Sequence, residues 1–337
     1  MLHKRIILIS ILFIAILAGC LLYFRHQVYF SHGRSGGEEI FEIDKGEGNV
    51  DIASRLADHG LVSNRFYFYY YLRTHGFLNR IIPGDYKLSG NMTIPEIASA
   101  IADPKESFIK VTFPEGLTIS EMGEILEKNG FSKGEFLKSA GDPSIFKEKY
   151  PFLRDENIKT LEGYLFPDTY FFKAENTSGQ IISKILDNYE VKISARMEAD
   201  VLSQGKTMYE IMTMASIVEK EVSSSADMKK VAGVFWNRLS IDMPLQSDAT
   251  LSYILDDNID QHSIDQLKTD SPYNTYKYRG LPPGPIANPG IGAINAASYP
   301  DKTDYAYFLT VGPDGSKETI FSKTFEEHVA NRKKYGL

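Results

Sequence analysis

The sequence predicts an α+β protein: a single N-terminal transmembrane helix, strand-and-helix modules in the first half, and a mainly helical C-terminal domain with a small β-sheet. Three observations predict this. An unbroken apolar run fills residues 6–24, two β-like stretches each lead into a short helix stopped by glycine, and from residue 177 apolar residues recur at helical spacing. The chain has 337 residues, 43% of them hydrophobic and 24% charged, which leaves room for two or three modules. Its formal charge of −7 and lack of a Lys/Arg-rich run are the opposite of a basic nucleic-acid footprint, so no nucleic-acid partner is expected.

Lys4 and Arg5 close a short cytoplasmic tail, residues 1–5, and Arg25 and His26 follow the apolar run. The run between them spans about 28 Å as a helix, close to the thickness of a bilayer's hydrocarbon core. Positive charges before it put the N-terminus in the cytoplasm and the body outside the inner (cytoplasmic) membrane, single-pass. "LAGC", ending at Cys20, resembles a lipobox, but Leu21, Leu22, Tyr23 and Phe24 carry the apolar run past the cysteine. That favours an uncleaved anchor over lipidation at Cys20. Cys20 is the only cysteine, so the body holds no disulfide and no thiolate site. The seven histidines are scattered without an HxxxH pair, and neither a metal nor a cofactor is expected.

Residues 25–38, with the Gly/Ser-rich "SHGRSGGEE" at their end, read as a linker. A weak internal repeat follows. Gly46, Ile52, Leu56 and Gly60 match Gly116, Met122, Leu126 and Gly130, and each copy trails a β-like stretch, "EIFEI" or "FIKVTF". Each copy reads as strand, turn and short helix. "MTIPEIASAIAD" (92–103) is a further short helix with Pro95 in its first turn. Residues 39–104 resemble a LysM-like module, a small fold that often binds N-acetylhexosamine polymers. Its aromatic run Phe66–Tyr71 offers rings for sugars, although six consecutive aromatics cover every face of a helix and at least half belong in a core. Residues 105–175 form a second α/β module and connection.

The remaining stretch, 176–337, reads as a mainly helical domain. A long amphipathic pattern (177–205) is followed by "TMYEIMTMASIVEKEV" and "ADMKKVAGVFWNRLSI", a loop region from Asp270 to Gly290, two strands, and a last helix from Thr324. Thr207 with Glu210 three residues on is a capping-box signature. Along that helix Ile211, Met214, Ala215, Val218 and Val222 make one apolar stripe, with Glu219 and Glu221 about 80° to either side of its centre. Helical geometry leaves the two glutamates equivalent. Trp236, the lone tryptophan, reads as core more than as a sugar platform.

"LEGYLFPDTY" (161–170), "PLQSDATLSY" (244–253) and "SPYNTYKYRGLPPGPIANPG" (271–290) are dense in Gly, Pro, amides and aromatics, as shaped loops around a carbohydrate are. "ASIVEKE", "NRL…MPLQSD", "SPYNTY" and "GLPPGPIANPG", in that order, closely resemble the endolytic murein transglycosylase family (MltG or YceG-like), over essentially the whole chain. Ala249 departs from the family's usual proline after "QSD". The resemblance implies a membrane-anchored enzyme that cuts nascent peptidoglycan strands internally and ends their polymerisation, with peptidoglycan synthases as candidate partners. It also implies that Glu219, the first Glu of "SIVEKE", is the sole catalytic acid and base, and demotes Glu221 to a helix-surface or rim charge. Gln246, Asp248, Asn274 and Tyr276 are candidates for binding acetamido and hydroxyl groups, and Glu162 and Asp168 for the rim of the site or behind it. Two alternatives stand beside this reading: a muramidase-type hydrolase on the same substrate, and a non-catalytic glycan-binding scaffold.

Overall fold

In the computed structural model, which describes residues 2–257, 259, 262–312 and 318–336, the chain opens with one long helix, α1 (Leu2–Tyr29). Its Ile6–Tyr29 stretch, of mean hydropathy 2.9, is long and apolar enough to cross a membrane. Every side chain from Ile6 to Tyr23 is exposed, as suits a helix whose apolar surface has no protein to cover it. The helix does not stop at residue 24. It runs on through Arg25 and His26, and Val28 is buried in the core of the following domain.

The chain divides into two units, residues 1–110 with Phe171–Glu175, and Val111–Tyr170 with Asn176–Leu337. In the first, β1 (Glu38–Ile43) pairs antiparallel with β2 (Gly84–Ser89), from Glu38 opposite Ser89 to Ile43 opposite Gly84. The helices α2 (Asn49–Asp58) and α3 (Arg65–Thr74) lie between them in sequence, and α4 (Ile94–Ala100) follows. The sheet order is β1-β2-β3-β4, where β3 is Ser107–Thr112 and β4 is Thr169–Lys173. Phe41, Ile52, Leu56, Phe68, Leu72, Tyr86, Leu88 and Ile97 form the core. Caps set the helix starts: Asn64 accepts from Phe66 N–H, and Thr93 with Glu96 closes a capping box ahead of Pro95.

Two expectations change here. The stretch read as a free linker is hydrogen-bonded, with Gly33 N–H on Gly90 O and the Arg34 and Ser35 N–H groups on Gly60 O. Glycine makes this possible, because a Cβ at Gly33 would collide with the Gly90 backbone. Strands β2 and β4 were not foreseen either: "GDYKLS" and "TYFFK" are short and lie among loop-like residues. The repeat is structural. Gly46, Gly60, Gly116 and Gly130 all have φ between 71° and 88°, and Ile52, Leu56, Met122 and Leu126 are all buried. In the aromatic run Phe68 and Tyr71 are core, while Phe66 and Tyr70 are exposed.

The second unit carries α5 (Ile119–Lys128), α6 (Lys133–Ala140), α7 (Ser178–Lys192), α8 (Ala195–Ser203), α9 (Met208–Glu221), α10 (Ser225–Ser240), α11 (Asp248–Leu255), α12 (Ile291–Ser298) and α13 (Phe325–Tyr335). The long pattern at 177–205 is two helices, because Ile193 is extended and Ser194 caps a new start at Met197 N–H. At its centre α9 packs against α12 and α10. The alanines of α12, Ala293, Ala296 and Ala297, let the helix axes approach closely. The strands β5 (Tyr307–Val311) and β6 (Glu318–Ser322) make a separate antiparallel pair, which α13 contacts.

Candidate active site

The capping box at Thr207 starts α9: Thr207 Oγ1 accepts from Glu210 N–H, and Glu210 accepts from Thr207 N–H at 2.8 Å. The helix is not amphipathic as its stripe suggested. Ile211 to Val218 are buried without a break, including Thr213 and Ser216, whose hydroxyls bond the carbonyls of Tyr209 and Thr213. This central rod reaches the surface at its two ends, through half-buried Met208, Tyr209 and Glu210 in the first turn and through Glu219, Lys220 and Glu221 in the last. In that last turn the helix dipole opposes negative charge.

Glu219 is half-buried, and its Oε2 accepts from Gly290 N–H at 2.9 Å. Burial raises its pKa, opposed by the Gly290 bond and the Lys220 charge and reinforced by the Glu115 carboxylate. Residues 115–117 strap across this end of α9. Gly116 N–H bonds Asn288 O at 2.9 Å, Asn288 N–H bonds Leu117 O at 2.8 Å, and Lys220 Nζ reaches Gly116 O. Gly116, with φ +78°, rides over Glu219, where a Cβ would lie 3.4 Å from Glu219 Cγ. Glu115 lies against Gly290 so closely that a Cβ there would fall on its carboxyl. Gly290 thus has one carboxylate on its N–H and a second against its Cα.

Asn288 ties this corner together. It is 1% exposed; its Oδ1 accepts from Gly163 and Leu165 N–H at 2.9 Å each, and its Nδ2 donates to Leu117 O and Glu162 Oε1. Glu162 is buried behind the strap and also accepts from Ile119 N–H, at the start of α5. Burial pushes its pKa up to about 8 in spite of those donors. Glu162 therefore lies beneath the site and not at its rim. Asp168 is held by Thr169 N–H, Asn188 and Lys192.

The other candidates gather around Glu221. Its Oε1 accepts from Ser247 Oγ at 2.5 Å, and burial raises its pKa to about 7, opposed by Ser247 and by nearby Arg238. It is not a free surface charge, because its carboxylate is engaged inside the fold. Arg238, 6% exposed, donates to Ala306 O and Leu245 O. Asp248 accepts from Tyr276 OH and contacts His262 Nδ1, each at 3.1 Å, and His262 Nε2 faces Asp257. Asn274 is fully buried, and its amide is spent on Leu267 O, Thr269 O and Tyr276 N–H. It holds the loop and presents nothing to a ligand. Gln246 is exposed with φ +50°, a left-handed backbone in a non-glycine residue. Trp236 is half-buried and donates its Nε1–H to Ala297 O.

Sequence reasoning passed over Glu115, Asn288, Gly290, Ser247, Arg238 and His262. Glu115 directly precedes Gly116 of the repeat, and Asn288 and Gly290 lie inside "IANPG", so their positions were visible although their convergence was not. Among the described residues, no group of three or more His, Cys, Asp or Glu is placed to hold a metal ion. An open cavity of about 440 Å³ lined by Tyr86, Pro95, Glu96 and Asp103 belongs to the first unit and contains none of the candidate residues.

The YceG-like family model matches residues 41–334. A curated relative from Bacillus subtilis named endolytic murein transglycosylase is 33% identical, over 91% of this chain and 89% of its own. A protein of the same name from Streptococcus pneumoniae is 30% identical over 86% of this chain and 57% of its own length. The crystal structure of a yceG-like protein from Listeria monocytogenes superposes with a TM-score of 0.63 at 35% identity, covering 87% of this chain and 98% of that one. Matched along nearly its whole folded length, with the glutamate-bearing helix and its glycine-rich loops inside the match, the chain belongs to the YceG-like family.

Proposed function

We propose that this protein is a membrane-anchored endolytic lytic transglycosylase, cleaving the β-1,4 bond between N-acetylmuramic acid and N-acetylglucosamine within peptidoglycan strands. The observation that carries the reading is Glu219: a half-buried, solvent-reachable carboxyl at the end of a rigid central helix, oriented by Gly290 N–H, with its pKa raised by burial. A general acid needs that proton near neutral pH. Glu221, engaged by Ser247, is the poorer choice. The relatives' name, endolytic murein transglycosylase, supplies the substrate class.

On this reading Glu219 gives its proton to the glycosidic oxygen as the C1–O bond breaks, and the leaving sugar departs with a neutral hydroxyl. Positive charge develops at C1 while Glu219 becomes a carboxylate. That carboxylate takes the proton of the muramyl C6 hydroxyl, whose oxygen closes on C1 to give a 1,6-anhydro end. No water enters, so neither a water-activating base nor a carboxylate nucleophile is required, unlike the two-carboxylate hydrolases. The Glu115 carboxylate at Gly290 is suited to stabilise the positive charge that builds up on the sugar and to keep Glu219 protonated. The first unit's β1-α2-α3-β2 order supports its reading as a LysM-like module. Helix α1 serves as the single-pass anchor, with the enzyme on the extracytoplasmic face beside wall synthases.

Full-length protein in detergent, given purified peptidoglycan, tests this. Glu219→Gln is expected to lower cleavage by about 10⁴-fold, the upper end for a general acid–base. Glu221→Gln is expected to keep most activity. Mass spectrometry should find anhydro ends on the products. Reducing ends would convert the assignment to a hydrolase, and equal cleavage by wild type and Glu219→Gln would end it.

A further inference from the structure

The exposed aromatic residues of α3 have no place in the proposed reaction. Phe66 and Tyr70 are 59% and 45% exposed on a helix whose other side, Phe68, Tyr71 and Leu72, fills the core of the first unit. They are also the residues that meet α1. The Phe24 ring lies edge-on to Phe66, Tyr67 and Tyr70, with centroids 6.4, 5.5 and 4.9 Å away. One turn further along, Val28 is buried in the same core, Tyr29 meets Tyr71, and Gln27 accepts from Ser63 Oγ. The end of α1, from Phe24 to Tyr29, is therefore packed into the first unit, with no free linker between that unit and the span.

This fixes a height. A hydrocarbon core of about 30 Å takes roughly 20 helical residues, so a span beginning at Ile6 leaves it near Phe24 and Arg25. The headgroup layer extends roughly 5–7 Å beyond. Rings packed on Phe24 fall in that layer, where aromatic side chains with one polar edge concentrate. Arg25 and Arg65, both exposed, flank the patch and suit lipid phosphates. A sugar platform would need open ring faces away from the span, whereas Phe66 and Tyr70 pack on each other and on Phe24.

We propose that the first turns of α3, through Phe66 and Tyr70, form a foot that seats the first unit in the lipid headgroup layer beside its own anchor. The proposal rests on the anchor reading of α1. Cys20 is the only cysteine, so a Cys20→Ser background accepts single cysteines at Phe66, Tyr70, Phe13 and Val50. Val50 is an exposed control at the far end of α2, whose first residue Asn49 bonds Leu78 beyond the end of α3. Each full-length variant is labelled with an environment-sensitive fluorophore and reconstituted into vesicles of phosphatidylcholine and phosphatidylglycerol. Labels at Phe66 and Tyr70 should emit to the blue of the Val50 label and lose intensity to a nitroxide placed high on the acyl chain. The Phe13 label should lose intensity to a deep nitroxide. Water-like emission at both Phe66 and Tyr70 with Phe13 quenched overturns the foot and spares the anchor. An unquenched Phe13 removes both. Labels that report water in vesicles but become occluded when glycan strands are added would make the face a sugar platform and overturn the proposal.

Discussion

Replacing Asn288 by alanine removes the side chain that joins three segments around Glu219. Its amide accepts from the Gly163 and Leu165 N–H groups and donates to Leu117 O and Glu162, with a weaker bond to Met122 Sδ. Leu117 O keeps the Asn288 backbone N–H and Glu162 keeps the Ile119 N–H, so the Gly163 and Leu165 N–H groups are the ones left unpaired; at about 2 kcal/mol each, the substitution should destabilise the second unit by about 4 kcal/mol. For a unit of this size that lowers the melting midpoint by roughly 8–16 °C. Trp236, the lone tryptophan, lies in that unit, so intrinsic fluorescence during heating reads it directly. Asn288→Asp keeps acceptors for the two N–H groups and loses both donors, and should fall about halfway. Cleavage by Asn288→Ala should drop at temperatures well below its midpoint, because the 115–117 strap loses its clamp beside Glu219. A midpoint within about 2 °C of wild type would refute the account of Asn288 as the knot of the site.

Glu162 and Glu221 both hold protons in the folded state that an unfolded chain releases near 4.5, since their values are raised to about 8 and about 7. Their contribution to stability is therefore complete below pH 4.5, declines as pH rises, and is gone above about 8. Thermal midpoints across that window should fall, and Glu162→Gln should flatten the part of the decline nearest pH 8; a slope unchanged by that substitution would exclude Glu162 as its source. Glu115→Gln removes a negative charge that raises the Glu219 pKa. The alkaline limb of the cleavage profile should move to lower pH, and a limb that stays in place would show that Glu115 does not act on Glu219. Gly163 has φ +88°, and a Cβ there would meet Pro285 Cβ and Cγ at 2.5 Å. Gly163→Ala should cost about 2–4 kcal/mol, from left-handed strain together with overpacking, visible as a lower midpoint by the same fluorescence.

Much of the architecture was legible because local rules agreed. The capping box at Thr207, the glycine stops of the repeat, and the two C-terminal strands all stand where their residues suggested. What misled was burial. Thr213 and Ser216 satisfy their hydroxyls on the helix's own carbonyls, so α9 is buried all round while its sequence shows only one apolar stripe. Long-range pairing was also invisible. Glu115 and Gly290 are far apart in sequence, and nothing local to either announces that they touch. For the same reason the sequence could not separate Glu219 from Glu221 by helical angle. In the fold they differ by partner, Gly290 N–H for one and Ser247 Oγ for the other. Asn274 stood out as an amide in a shaped loop, but its donors turn inward.

Helix α1 continues without a break from its apolar stretch to Val28 in the core of the first unit. In the anchor role proposed for it, a helix joined so rigidly would have no hinge at the bilayer surface. Its apolar run, residues 6–24, spans about 28 Å, close to a typical hydrocarbon core, and a spanning helix adapts to a thinner bilayer by tilting. Any tilt the bilayer imposes on the span must then turn the first unit with it. On that proposal lipid composition, by setting the thickness, would become a determinant of how this unit is presented to its substrate.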